Sequence, residues 1–244
     1  MTRIDRVWPD PADDLDDEAL LAETRMPDAP WLRMNFISSL DGAATRGGRS
    51  GGLGDDADRR LFDLLRRPAD AVLLGAGTAR TEGYTAMRLD DAAAAWREAR
   101  GLASHPTLVI VSRRLDLDPA SAMFTDAPVR PVICTVGSAP QERRERLAEV
   151  ATIIDAGATE VDPRLLREEL SSRRLRRVHS EGGPTLFGSF LEADAVDALH
   201  LTMAPRLEAG AARRIASSAE AVGAEMRLVS ILRAGSELLL SYRR

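Results

Sequence analysis

The middle of the chain alternates between short apolar runs and longer stretches whose apolar residues recur at helical spacing. The apolar runs predict strands at residues 32–38, 70–74, 107–111, 131–135, 151–155 and 177–180. The amphipathic stretches predict helices at residues 91–102, 141–150, 163–174 and 185–193. Alternation of this kind is typical of a mostly parallel sheet with helices packed against it.

A further helix is predicted after the glycine-rich loop at residues 47–54. Asp55 or Asp56 can cap its first turn, because a short side-chain oxygen accepts a hydrogen bond from a free backbone N–H. Its apolar stripe follows the helical period, and Pro68 ends it. The stripe consists of Ala57, Leu61, Leu64 and Leu65.

The two ends of the chain differ from its middle. Apolar runs at residues 196–204, 226–232 and 236–242 follow one another closely, which favours antiparallel edge strands. We therefore predict an α/β fold with a mostly parallel central sheet, antiparallel C-terminal edge strands and flanking helices. Residues 1–30 are acidic and rich in proline, and predict an arm with one short helix near residues 15–25. Residues 31–244 are expected to form a single domain, because no linker and no internal repeat interrupts them.

Composition narrows the classes of partner. The formal net charge is -5 and the isoelectric point is about 5.4, which argues against a nucleic-acid partner. The chain has no run of 18 apolar residues and no signal peptide, so we expect no membrane association and a cytoplasmic location. Cys134 is the single cysteine, which excludes an internal disulfide and a multi-cysteine zinc site, and no metal is predicted.

The residue types also exclude several enzyme classes. All 33 basic residues are arginine, so the chain has neither a Schiff-base lysine nor the lysine of a phosphate-binding P-loop. No Gly-x-Ser-x-Gly or His-Glu-x-x-His motif occurs, which leaves serine-hydrolase and zincin chemistry unsupported. His105, His179 and His200 lack ligand spacing, and we interpret each as structural.

The strongest local signal is the connection from the strand at residues 177–180 to the following helix. Gly182 and Gly183 permit backbone angles closed to other residues, and Pro184 suits the first helical position. The free N–H groups of such a turn favour an anion, above all a phosphate. Glu181 stands at the carboxyl end of the strand, where open α/β sheets bind ligands. The alternative is an ordinary strand-to-helix connector.

Two further turns carry candidate chemistry. Gly75, Gly77 and Thr78 resemble the start of a dinucleotide-binding fingerprint, but Arg80 stands in place of its third glycine. A standard Rossmann fingerprint is therefore rejected, while phosphate contact by this turn remains open. Asp41 ends the first strand at a glycine, where it could orient hydroxyls or move protons with Glu181. Alternatively, Asp41 only shapes an Asx-turn.

Four stretches in order resemble the motifs of the riboflavin-pathway reductase family, the C-terminal reductase domain of bifunctional deaminase-reductases. The resemblance covers residues 30–242 and implies the dihydrofolate reductase fold. Four ordered motifs are far more specific than any one of them. The four stretches are Ser-Ser-Leu-Asp-Gly at 38–42, Asp-Ala-Val-Leu-Leu-Gly-Ala-Gly-Thr at 70–78, His-Ser-Glu-Gly-Gly-Pro-Thr-Leu at 179–186, and residues 197–207.

The resemblance implies an NADPH-dependent reductase of 5-amino-6-(5-phosphoribosylamino)uracil. Hydride would reach C1′ of the ribosyl group as its ring-opened imine. Ser39, Asp41 and Glu181 would bind the substrate, with the two carboxylates as the catalytic candidates. The resemblance also implies a homodimer, with the late antiparallel strands as candidate interface. The implied cofactor-binding residues are Gly75, Gly77, Thr78, Gly182, Gly183, Thr185 and Leu186.

The chain departs from the family pattern at two points, of which the first keeps alternatives open and the second means only that deamination happens elsewhere. Many members have a lysine directly after the Ser-Leu-Asp-Gly motif, where this chain has Ala43. The zinc deaminase signatures are also absent. A pterin or dihydrofolate reductase on the same fold therefore stays as one alternative. A nucleotide-binding protein without catalysis stays as another.

Cofactor choice is predicted from the strand at residues 107–111, which runs into Ser112 and Arg113. A hydroxyl and a guanidinium fit the 2′-phosphate of NADPH, whereas enzymes that select NADH commonly present an acidic residue there. Arg114 would assist or point to solvent. The alternative is a solvated turn containing two arginines.

Overall fold

The computed structural model describes residues 2–244, which contain ten strands and eight α-helices. The strands are β1 (Asp5–Trp8), β2 (Trp31–Ser39), β3 (Ala71–Gly75), β4 (Thr107–Val111), β5 (Val132–Thr135), β6 (Thr152–Asp155), β7 (Arg177–Ser180), β8 (Ala198–Ala204), β9 (Arg227–Ala234) and β10 (Glu237–Arg243). The helices are α1 (Asp17–Glu23), α2 (Asp56–Arg66), α3 (Ala76–Glu82), α4 (Asp91–Glu98), α5 (Ala122–Thr125), α6 (Gln141–Ala148), α7 (Pro163–Ser172) and α8 (Pro184–Glu192). A short 3-10 helix spans Ser50–Gly52.

The chain forms two compact units. The first unit contains the N-terminal residues up to Met26, Leu32–Arg66 and Glu181–Arg244. Its strands are ordered β1-β9-β10-β8-β2, with β8 parallel to β2 and the other pairs antiparallel. The second unit contains Pro27–Trp31 and Arg67–Ser180, and its strands β7-β3-β4-β5-β6 are all parallel. The predicted fold class, mostly parallel with antiparallel C-terminal strands, is confirmed.

The strands β3 and β4 of the second unit are apolar along almost their whole length because both faces are covered. Val72, Leu73 and Leu74 in β3 are fully buried, and so are Val109 and Ile110 in β4. Burial of such a side chain contributes about 1.5–3 kcal/mol. Continuous apolar runs of this kind are the reason that the sequence pattern located these strands within a residue or two.

The C-terminal strands depart from the prediction in one respect. β9 and β10 form an antiparallel hairpin across Gly235, and β10 is antiparallel to β8. β8, however, is parallel to β2, with Ser39 opposite Ala204. Close spacing along the chain applies only to β9 and β10, because residues 205–226 separate β8 from β9. A strand with a long connection is free to pair with a distant segment in either direction.

The N-terminal segment adds one element that the sequence did not predict. The strand β1 pairs antiparallel with the edge of β9. It has only four residues, two of them charged, so it carries no apolar run. The helix α1 lies inside the predicted range, and the Asp16 side chain caps it by accepting from Ala19 N at 2.8 Å. Ile4 and Leu20 are fully buried, so this segment contributes to the core of the first unit.

Each unit contains one buried arginine that joins separate segments of its chain. Arg33 in the first unit donates to the backbone oxygens of Thr24 at 2.8 Å and Leu65 at 2.5 Å. Arg97 in the second unit donates to the backbone oxygens of Arg67 and Ala69, each at 2.6 Å. Burial lowers the pKa of Arg33 to about 9 and that of Arg97 to about 10, so both side chains stay cationic at neutral pH.

In the described part of the chain, no helix has the length and apolar character needed to cross a membrane.

Candidate functional site

The turn between β7 and α8 has the backbone that its glycines predict. Gly182 has a φ of +94° and Gly183 a φ of +112°, which are angles that side-chain-bearing residues rarely adopt. A Cβ atom on Gly182 would lie 2.9 Å from Cε1 of Phe36, so a side chain there would also clash. Pro184 is the first residue of α8, where its missing N–H leaves no helical hydrogen bond unmade.

A stacked pair of aromatic rings packs next to this turn. The rings of Phe36 in β2 and Phe187 in α8 stack with centroids 5.0 Å apart and an interplanar angle of 18°. Leu186 is buried, so its side chain packs inside the protein and only its backbone could meet a cofactor. Thr185 is exposed in the first turn of α8, where its hydroxyl is accessible. The predicted cofactor residues of this turn therefore differ in the groups that they offer.

Glu181 lies in an ion pair that the sequence did not reveal. Arg66, the last residue of α2, donates from Nε to Oε1 at 2.5 Å and from Nη2 to Oε2 at 2.8 Å. The Glu181 side chain is fully buried and that of Arg66 is 17% exposed. This two-point geometry is the strongest form of an arginine–carboxylate contact. Arg66 carried no sequence signal, since it resembles an ordinary basic residue at a helix end.

The helix α2 that places Arg66 follows the predicted pattern. Asp55 accepts from Ala57 N at 2.7 Å and so caps the first turn. All four residues of the predicted stripe are buried, and the helix ends at Arg66, ahead of Pro68. The stripe faces the core of the first unit, which leaves Arg66 at the end of the helix to reach Glu181.

Asp41 is held by hydrogen bonds from both sides of its turn. The Ser39 hydroxyl donates to its carboxylate, and so do the backbone N–H groups of Glu208 at 3.1 Å and Ala209 at 2.7 Å. These donors, Ser39 first, lower the pKa of Asp41 to about 2. Asp41 is exposed and stays ionised at neutral pH, so it can accept hydrogen bonds but holds no proton to donate. The same contacts anchor the start of the long connection after β8.

Ser39 and Asp41 thus lie together in the first unit. Ser39 is buried, and its hydroxyl oxygen also accepts from Ala43 N at 2.9 Å. Ala43 itself is 5% exposed, so its methyl group is enclosed at the position where many family members have a lysine. Hydrogen bonds thus hold the predicted substrate turn, but it contains no cationic side chain from that position.

The second unit brings the other predicted cofactor residues to neighbouring strand ends. Gly75 ends β3 and pairs in register with Val111, the last residue of β4. Ser112 and Arg113 therefore follow the strand beside Gly75. The helix α3 begins directly at Ala76, and Gly75 has an ordinary φ of -79°. A Cβ atom on Gly77 would meet no atom within 4 Å, so neither packing nor backbone angle requires a glycine there.

Ser112 and Arg113 differ in their surroundings. Ser112 is 6% exposed, and its N–H donates to the backbone oxygen of Cys134 at 2.9 Å. The Arg113 side chain is 46% exposed and forms an ion pair with Glu160, which is 73% exposed. Exposed pairs of this kind contribute only about 0–1 kcal/mol. Arg113 could therefore exchange Glu160 for a phosphate at little cost.

The remaining titratable candidates have structural surroundings. His105 Nδ1 accepts from Leu89 N at 3.1 Å, and His179 and His200 are buried. Burial lowers the pKa of His200 well below its usual value, which keeps it neutral. Burial likewise raises the pKa of the Cys134 thiol, so it is no nucleophile at neutral pH. Among residues 2–244, no group of three or more His, Cys, Asp or Glu side chains could hold a metal ion.

Comparison with known proteins agrees with the four motifs. The family model described as RibD C-terminal domain matches residues 30–240. The 2,5-diamino-6-ribosylamino-4(3H)-pyrimidinone 5′-phosphate reductase of Methanothermobacter thermautotrophicus is 29% identical, with 87% of this chain and 97% of that protein covered. The riboflavin biosynthesis protein RibD of Bacillus amyloliquefaciens is 28% identical, with 74% of this chain but only 47% of that protein covered. The chain thus spans about half the length of the RibD relative.

A solved structure extends the agreement to the fold. The crystal structure of a pyrimidine reductase-like protein from Corynebacterium diphtheriae is 29% identical and superposes with a TM-score of 0.81. The match covers 88% of this chain and 91% of that one. The resemblance inferred from the motifs is confirmed by these comparisons.

Proposed function

The chain belongs to the RibD C-terminal domain family, and on this premise we propose that it is an NADPH-dependent reductase of a phosphoribosylamino-pyrimidine in riboflavin biosynthesis. The observation that carries the proposal is the turn at Gly182 and Gly183. Both residues have a positive φ and precede the first turn of α8. Neither glycine places a side chain in front of the first turn of α8, and the backbone N–H groups of a first helical turn favour a phosphate.

Each of the two units contains residues whose chemistry suits the binding of NADPH. In the first unit, Gly182, Gly183 and Thr185 would hold a phosphate through backbone N–H groups and one hydroxyl. In the second unit, the strand ends that carry Gly75 and Ser112 are neighbours. Gly77 and Thr78 would line the same strand edge, and Arg113 would pair with the 2′-phosphate.

NADPH, when bound, supplies the hydride for reduction of C1′, while a proton completes the secondary amine and a ribityl chain results. The protein contributes position and charge. Glu181 would hold substrate hydroxyls or the developing amine. Asp41 and Ser39 would bind the substrate from the turn after β2, where the ionised Asp41 acts as an acceptor. Orientation of the reacting groups is a main source of rate enhancement for such transfers.

Two pyrimidines are candidates for the substrate. The motif resemblance implies 5-amino-6-(5-phosphoribosylamino)uracil, which has an oxo group at position 2. The Methanothermobacter relative, covered over 97% of its length, is named for the 2,5-diamino compound, which has an amino group there. At position 2 the first compound offers a hydrogen-bond acceptor and the second a donor, and the adjacent ring nitrogen changes in the opposite sense. A site that pairs with one of these edges rejects the other.

The enclosed Ala43 keeps one further candidate in the test. Without the lysine that many family members have, a pterin or dihydrofolate substrate remains the alternative on this fold. The deciding experiment incubates the purified protein with NADPH and each pyrimidine or dihydrofolate in turn, and follows the nicotinamide absorbance. Oxidation with a phosphoribosylamino-pyrimidine is the expected result. Oxidation with dihydrofolate alone would overturn the proposal, and NADPH binding without any turnover would favour a non-catalytic nucleotide-binding protein.

We also propose a homodimer, with the late strands β8, β9 and β10 as the candidate interface. The proposal comes from the family resemblance. Light scattering at micromolar concentration is expected to give twice the mass of the 26.5 kDa chain. The monomer mass at that concentration would contradict it.

A further inference from the structure

Arg66 binds Glu181 in a more specific geometry than the neutralisation of one charge requires. The two residues are 115 positions apart in the sequence. Both oxygens of the carboxylate accept from the guanidinium, at 2.5 and 2.8 Å. A lysine could neutralise the same charge, but only a planar fork fixes the plane of the carboxylate as well.

The guanidinium is itself restrained by its own helix. Its Cζ atom lies 4.4 Å from the centroid of the Phe62 ring, which is cation–π distance. Its Nη1 atom lies 3.8 Å from Oδ1 of Asp63. Phe62 and Asp63 therefore both restrain the guanidinium, which in turn binds the carboxylate of Glu181. The orientation of the carboxylate follows from the position of α2.

Glu181 directly precedes the double-glycine turn. Gly182 and Gly183 have no side chains, so the nearest side chain on the N-terminal side of the turn is that of Glu181. The Phe36 ring closes one side of Gly182. The bond to Arg66 restrains the chain just before it. A fully buried carboxylate that loses its cation is strongly unfavourable, so removing the fork would force Glu181 and the adjoining turn to move.

We propose that Arg66 is a positioning residue for the reduction, which acts by fixing the Glu181 carboxylate and the double-glycine turn in one geometry. The inference deepens the proposed function, since it relies on Glu181 standing beside the substrate there. Arg66 acts through Glu181 and touches no reacting atom itself. Its loss should therefore change turnover through Glu181 and leave the cofactor contacts in the second unit intact.

The test compares Arg66→Gln, Arg66→Lys and Glu181→Gln with the double variant of Arg66→Gln and Glu181→Gln. Arg59→Gln is the matched control, because it removes an exposed arginine and its pair with Asp56 from the same helix. With NADPH saturating, kcat of Arg66→Gln should fall roughly ten- to a hundred-fold. The Kd for NADPH should rise by a smaller factor, because only its contacts at the double-glycine turn are disturbed. Arg66→Lys should recover part of kcat, and Arg59→Gln should match the unmodified protein.

The double variant distinguishes an effect of Arg66 on the position of Glu181 from a general loss of folding stability. If Arg66 acts through Glu181, the double variant should be no slower than Glu181→Gln by itself, because Arg66 then has no other route to the reaction. Normal kcat in Arg66→Gln would overturn the inference, whatever happens to the melting temperature. Should Arg66→Gln fail to fold, Arg66→Lys decides: reduced kcat with a near-normal melting temperature supports positioning, and normal kcat overturns it.

One further measurement keeps this inference distinct from the proposed function. Hydrogen exchange of the peptide that covers residues 181–187 requires no substrate. If the unmodified protein reduces neither pyrimidine, the proposed function fails, yet faster exchange of this peptide in Arg66→Gln than in Arg59→Gln would still support the anchoring role. Equal exchange in the two variants would overturn it.

Discussion

Gly188 in α8 lies against the backbone of Ser217, and a Cβ atom built on Gly188 would be 2.0 Å from the Ser217 carbonyl oxygen. The Ser217 N–H also donates to the Pro184 oxygen at 2.9 Å. The long connection after β8 is therefore docked on the helix that follows the double-glycine turn. Its other end is tied to Asp41 through Glu208 and Ala209.

Gly188→Ala is expected to destabilise the protein. The methyl group would overlap a backbone oxygen, and overpacking of this kind costs about 1–3 kcal/mol. Alanine favours a helix over glycine by about 1 kcal/mol, which offsets only part of that cost. Urea unfolding measures the change. Gly77→Ala in α3 is the control, because its Cβ meets open space; it should be neutral or stabilising. Equal stability of both variants would contradict the docked arrangement.

Glu181→Gln should lower turnover more than cofactor binding. The substitution keeps the shape of the side chain but removes the charge that pairs with Arg66 and, in the proposed function, holds the substrate. Loss of a charged hydrogen bond costs about 1.5–3 kcal/mol, or roughly ten- to a hundred-fold in kcat. Steady-state kinetics and fluorescence titration with NADPH measure the two effects separately. Weaker NADPH binding with normal turnover would identify Glu181 as a cofactor ligand instead.

Arg113→Ala tests the choice of cofactor. NADPH should bind roughly tenfold more weakly while NADH is almost unchanged, because only NADPH carries the 2′-phosphate. The difference should shrink as salt screens the pair. Glu160→Gln is the matched control, since it releases Arg113 from its surface ion pair and should preserve or strengthen NADPH binding. Equal loss for both cofactors, or for neither, would place recognition of the 2′-phosphate elsewhere.

Glu237 should make the stability of the protein fall as the pH rises. Burial, followed by the proximity of Asp55 and Asp58, raises the pKa of Glu237 from 4.5 to about 8. Its Oε2 atom also has no hydrogen-bond partner among the described residues. The folded state therefore binds the proton more tightly than the unfolded state. The stabilisation is present below the unfolded pKa of 4.5 and is lost as the pH rises through about 8.

The measurement for Glu237 is urea unfolding at a series of pH values. Glu237→Gln should remove much of the decline between pH 4.5 and 8, because the amide stays neutral. The variant should consequently gain stability relative to the unmodified protein as the pH increases. Parallel curves for the two proteins would show that Glu237 does not bind its proton more tightly in the folded state.

The sequence alone determined the elements whose pattern is local. The strands β3 and β4 are apolar runs between turns, and the pattern found them because both faces of each are buried. The positive φ angles of Gly182 and Gly183 were also predictable, since a bare turn before a proline at a helix start has few other conformations. A cap of α2 at Asp55 or Asp56 was also predicted, and the structure places it at Asp55.

Only the tertiary structure decided which distant residues meet. Arg66 and Glu181 are 115 residues apart, and Asp41 accepts from Ala209, 168 residues away. β8 found a parallel partner in β2, and β1 formed a strand only because the edge of β9 was there to pair with it. Periodicity and capping report the surroundings of a residue along its own element. Ion pairs and strand partners depend on how elements pack, and that information is not contained in any single stretch of the chain.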